Sequence, residues 1–145
     1  MAIPTPEVGL VLNYAYLWHD EHRRGLEEGR KNRPSVIVLK TMRAKDGETI
    51  VMVLPITHSA PINPELAVET PARVKAHLGL DDERSWVVVD EGNQFVWPGY
   101  DLRKIPGSVD DYAYGFIPPK LFWKIIEAMK AVHAKGGVKS TPRNP

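Results

Sequence analysis

The chain has 145 residues, with 19 Lys plus Arg against 18 Asp plus Glu. The resulting net charge of +1 excludes a globally basic nucleic-acid binder and confines any nucleic-acid site to a local patch. Without a single cysteine, disulfides and thiolate metal centres are excluded as well.

The opening MAIPTPEVG lacks both the basic and the apolar region of a signal peptide, and no apolar run approaches bilayer length. The expectation is a cytoplasmic protein with no membrane partner. Its length fits one domain over residues 1–137, followed by a disordered basic tail over 138–145.

In chain order, Gly9-Leu10-Val11-Leu12 opens a first strand that continues through Trp18, favoured by its aliphatic and aromatic content. His19 to Asn32 holds one large apolar residue, Leu26, and reads as a long charged loop or a short exposed helix. Arg33-Pro34 then leads into the apolar run Val36 to Leu39, and Asp46-Gly47 supplies a turn into a second run from Ile50 to Ile56. That run ends in Thr57-His58-Ser59. Leu66 to Glu69 is expected as an edge strand. Thr70-Pro71 starts, and Gly79 stops, a short helix through Val74 and Leu78. Ser85 to Val89 is a buried strand, and residues 93–98 lead into another expected at Tyr100 to Arg103. Pro118-Pro119 opens a helix whose apolar positions Leu121, Phe122, Ile125, Ile126, Met129 and Val132 form one stripe, ended by Gly136-Gly137. Short strands joined by hairpin turns imply a mainly β protein with α (α+β), built on a small antiparallel sheet or barrel with a C-terminal amphipathic helix.

If the two central strands pair about Asp46-Gly47, Arg33 and Thr57 become neighbours at one end of the sheet. Arg33 offers a permanently charged fork that matches phosphate oxygens. His58 is suited to exchanging protons near neutral pH, with Glu28, Glu21, His19 and His22 as alternative carriers. Such a set suffices for RNA transesterification, in which a ribose 2′-hydroxyl attacks its own phosphate without a cofactor or a metal. The plainer readings are an exposed strand-start arginine, a threonine capping the next turn and an incidental loop histidine. His19 and His22 could share a cation with His58 or Glu21, but no metal framework such as HExxH supports it, and no metal site is expected. Tyr14, Tyr16, Trp18, Trp97 and Tyr100 could stack bases, although most are expected in the core, with Trp97 the exposed one. RNA contacts are expected at His19, Arg30, Trp97 and Arg103.

Taken together, Gly9, GRKNRPSVIVL with Arg33, VMVLPITHS with Thr57, the strand SWVVVDE and the C-terminal helix from Pro119 resemble, in order, the PemK/MazF family of toxin endoribonucleases. The resemblance spans roughly Val8 to Val132. It implies an SH3-like or CcdB-like barrel, a homodimer, metal-independent cleavage of single-stranded RNA, and an antitoxin whose extended segment covers the cleft. On this carry-over Arg33 stabilises the phosphorane and acts in proton transfer, and Thr57 holds a phosphate oxygen. The chain departs from the family in Gly9-Leu10 where Gly-Asp is usual, in a longer loop before Arg33, and in the elaborate stretch 91–115. The competing expectation is a non-catalytic module of the same fold that binds a peptide or a nucleic acid in its groove.

Overall fold

The computed structural model describes residues 3–20, 31–108 and 111–143. In chain order its elements are β1 (Leu10–Ala15), β2 (Asn32–Met42), β3 (Thr49–Thr57), β4 (Ala67–Glu69), α1 (Ala72–Leu78), β5 (Trp86–Val88), β6 (Glu91–Val96), β7 (Ala113–Phe116), α2 (Pro119–Ala134) and β8 (Lys139–Arg143). Among the described residues the strands form one hydrogen-bonded sheet accompanied by α1 and α2, so the mainly β, α+β expectation holds. Among the described residues no helix is long and apolar enough to cross a membrane.

The hairpin of β2 and β3 is the spine. Gly47 takes φ 73°, the left-handed conformation its turn requires, and Arg43 clasps Asp46 at 2.6 Å beside it. At the open end the antiparallel register runs Ser35↔Pro55, Val36↔Leu54 and Ile37↔Val53. Two residues further along, Arg33 therefore comes level with Thr57. Beyond Ile37 the register shifts to Leu39↔Met52, because Val38 is inserted as a bulge.

The neighbours of this hairpin follow from its edges. β1 pairs with the outer side of β2 and carries β7 in turn. Along the other edge, β5 covers Ile56 and Thr57, and β6 covers Ile50 to Val53. β4 then pairs with β5, and β8 with β6; only the last pairing is parallel. The hydrogen-bonded paths end at β4, β7 and β8.

Alternation along the strands feeds two cores on opposite faces. One face gathers Val11, Val36, Val38, Leu54 and Ile56 against Val74 and Leu78 of α1 and Leu121, Ile125 and Val132 of α2. The other gathers Leu10, Leu12, Tyr14, Tyr16, Ile37, Val51, Val53 and Phe95. Burial on both faces explains why β2 and β3 read as continuous apolar runs rather than as alternating ones. At about 1.5–3 kcal/mol for each fully buried aliphatic side chain, these clusters are the main stabilising term.

Three expectations are corrected. Residues 100–103 are not a strand: Tyr100 is exposed and Leu102 makes only an isolated bridge to Tyr14, while the strands of this region are β6, which takes in residues 93–96 of the lead-in, and β7. Aromatic and aliphatic content suggested a strand at 100–103, but no sheet edge is offered to it beyond that bridge. While residues 144–145 lie outside the described residues, residues 139–143 of the tail expected to be disordered instead form β8, which adds to the edge of β6. Its composition is polar, but Arg143 buries its guanidinium, donating to the carbonyl of Ala15 at 3.1 Å and to Asp101 Oδ1 at 2.5 Å. Trp97 is half-buried, with its ring centroid 6.1 Å from that of Phe95, whereas Tyr100 is the exposed one of the five aromatics considered for base stacking. Of the expected loop over 19–32, residues 21–30, and with them Glu21, His22, Glu28 and Arg30, lie outside the described residues.

Candidate functional site

A cleft of about 470 Å³ opens where β2 begins and β3 ends. Residues 31–34 and 56–59 form two walls, and Lys75, Leu80, Asp81 and Tyr114 contribute others. Arg33, Thr57 and His58 thus share one cleft. The guanidinium carbon of Arg33 stands 5.0 Å from the centre of the Trp18 ring, a cation–π contact that orients the fork. Thr57 Oγ1 accepts a hydrogen bond from the backbone N–H of Ser59 at 3.2 Å, so it also caps the turn. Its hydroxyl proton is not used in that bond.

The third wall holds a salt-bridged chain built by a helix end. Gly79, at φ 73°, terminates α1, and the N–H of Leu80 returns to the carbonyl of Lys75 at 2.9 Å. This reversal brings Asp81 back over Lys75, whose side chain is 5% exposed. Lys75 Nζ donates to Asp81 Oδ1 at 2.6 Å and to the carbonyl of Glu83. The N–H of Glu83 donates to the same Oδ1 at 3.1 Å, and Asp81 Oδ2 lies 2.8 Å from His58 Nε2. The Lys75 hydrogen bond, with help from the Glu83 amide and the nearby charges of Lys75 and His58, holds the Asp81 carboxyl below the usual carboxylate range. Burial, and secondarily the Asp81 charge, pushes the Tyr114 hydroxyl up.

Donor atoms of His58, Asp81 and Glu83 fall within 4.8 Å of one another. With the Lys75 ammonium already on Asp81, this trio is a salt-bridged cluster rather than an ion cage. His19 is not part of it: its N–H donates to Glu91 Oε1 at 2.9 Å, at another part of the sheet. Trp97 and Arg103 also lie outside the cleft lining, and Arg103 donates to the carbonyls of Tyr100 and Leu102. Sequence reasoning missed Lys75, Asp81 and Tyr114. The signal available was a lysine one turn before a Gly-Leu-Asp helix stop.

A second concavity, of about 510 Å³, lies between α2 and residues 63–69. Lys135 and Glu65, both in its lining, bond at 2.8 Å, and none of the candidate residues from the sequence lines it. Comparison of the chain with models of known protein families, with curated proteins and with solved structures finds no match.

Proposed function

We propose that the protein is a metal-independent endoribonuclease that cuts single-stranded RNA in this cleft, on the plan of the PemK/MazF toxins its sequence resembles. The observation that carries the reading is the shared cleft of Arg33, Thr57 and His58, drawn from two strands. Arg33 neutralises the phosphate and the extra charge of the phosphorane. Thr57 donates its hydroxyl proton to a phosphate oxygen. His58 carries the proton of the attacking 2′-hydroxyl. Lys31 adds positive charge at the rim, which supplies the local patch that a chain of net charge +1 needs.

The same reading includes an SH3-like or CcdB-like barrel, a homodimer, a cytoplasmic setting and an antitoxin segment lying in the cleft. Glu28 and Arg30 keep their proposed roles as a proton carrier and an RNA contact. His19, Trp97 and Arg103 would touch RNA only if the strand ran beyond the cleft.

The test is incubation of purified protein with single-stranded RNA in EDTA, scoring 2′,3′-cyclic phosphate ends. Wild type should cut, and Arg33→Ala should lose about 10²–10³-fold in rate. Arg33→Ala cutting at the wild-type rate refutes the site.

One observation favours the second reading, a non-catalytic binding module: a net charge of +1 leaves little general attraction for an RNA strand. Under that reading the cleft retains RNA or an extended peptide with no turnover at high protein concentration.

A further inference from the structure

We propose that Asp81 is a positioning residue for His58, fixing the ring so that Nε2 carries a proton and Nδ1 is the atom that exchanges protons with substrate. Its role in cleavage rests on the nuclease reading; its geometry does not.

The argument starts from the carboxylate. Asp81 Oδ1 is filled by Lys75 Nζ and the Glu83 amide, leaving Oδ2 for the imidazole at 2.8 Å. An ionised carboxylate can only accept, so Nε2 must donate. The Lys75 ammonium, 2.6 Å away on a side chain withdrawn from solvent, keeps that carboxylate ionised. A neutral ring with Nε2–H has its lone pair on Nδ1 alone. The charged or titratable groups around the ring are Asp81 with Lys75 bonded to it, Glu83, whose carboxylate lies within 4.8 Å of both the ring and Asp81, and Tyr114, Lys31 and Arg33 of the cleft lining.

In the reaction, Nδ1 takes the 2′-hydroxyl proton while the 2′-oxygen bonds to phosphorus and the P–O5′ bond breaks. The departing 5′-oxygen takes a proton from water, and the imidazolium later returns its own to solvent. Asp81 stays ionised throughout, stabilising the imidazolium without accepting the proton. Three separated parts of the sequence hold the chain together: Lys75 in α1, Asp81 after its glycine stop, and His58 just past β3.

The test uses the full chain labelled with ¹⁵N-histidine, in water at a pH where the ring is neutral, with His58→Gln to assign the signal. The expected result is a pyrrole-type ¹⁵N resonance at Nε2 of His58 with a pyridine-type one at Nδ1, reduced or lost in Asp81→Ala and kept in Asp81→Glu. A His58 proton on Nδ1, or an even mixture of the two tautomers in wild type, overturns the proposal without reference to activity. Where wild type cuts RNA, Asp81→Ala should lower kcat by about 10²-fold or more with KM within about twofold. An unchanged kcat despite loss of the resonance also overturns it. Asp81→Ala leaves Lys75 without its carboxylate, so Lys75→Met/Asp81→Ala serves as the folded control. A wild type that cuts no RNA yet shows the Nε2–H sinks the nuclease reading and leaves the positioning intact.

Discussion

Arg33 is the residue at which charge and shape can be separated. Its fork stacks on Trp18, so Arg33→Lys keeps the charge but loses both the stacking plane and bidentate geometry. We expect Arg33→Lys to recover less than a tenth of wild-type cleavage in the EDTA assay, with an unchanged melting temperature; full recovery would mean that only a point charge is needed. Acid titration reads other side chains. Asp81 and Glu69 are held below their usual range by Lys75 and Arg84, and Asp46 is held at about 2 by Arg43. The unfolded chain binds these protons near pH 4, the folded chain only below that, so protons favour unfolding as the pH falls. Stability from these pairs is present above about pH 4 and drains away toward pH 2. Melting temperatures followed by circular dichroism should fall across that window, more gently at high salt because the carboxylates are exposed. A flat profile to pH 2.5 contradicts the assignment. The meeting of Arg33 and Thr57 was legible in sequence because any antiparallel hairpin brings the start of its first strand beside the end of its second, and the Val38 bulge moves that register by only one residue. Asp81 and Lys75 were not, because their contact depends on the angle at which the chain leaves α1, which no pattern of residue types records.

At the level of elements, the two cores and the added strand make different demands. Ile125 of α2 is fully buried, and Ile125→Ala should cost about 2–5 kcal/mol in urea denaturation. Gly92 of β6 has no room at all: a Cβ there would stand 2.4 Å from Met52 Cε and 2.9 Å from the carbonyl oxygen of Val53. Gly92→Ala should therefore cost about 1–3 kcal/mol, and a neutral result would show that β3 yields easily. β8 hangs on one side chain. Arg143→Ala removes the buried partner of Asp101 and should cost about 3–5 kcal/mol, with faster amide exchange along residues 139–143. The apolar strands and the striped helix were readable because burial wrote their periodicity into the residues. β8 reads LysSerThrProArg and was invisible for the opposite reason: it gains order from the free edge of β6 and a single ion pair, not from apolar content. Tyr100 to Arg103 misled in the reverse sense, having strand-like residues but no partner strand beyond an isolated bridge.

For the whole molecule, near-neutral charge sets the expected strength of nucleic-acid binding. With net charge +1 and a few cations at one cleft, RNA affinity should fall with salt at a log–log slope of about −0.7 to −1.4, as one or two phosphates of a single strand are neutralised. Filter binding with Arg33→Ala should reduce that slope by about one phosphate's worth. A slope near zero favours a peptide as the occupant.

The bulge at Val38 separates the hairpin into two ends with independent phase. β3 alone is nine residues long, so the Arg43–Asp46 turn lies about 30 Å from the cleft. Met42 and residues 44–48 are open to solvent there. A fluorophore, a grafted epitope or a surface tether attached at that tip would leave the opposite end free to meet its ligand. It is the natural handle for immobilising the protein in the binding measurements above.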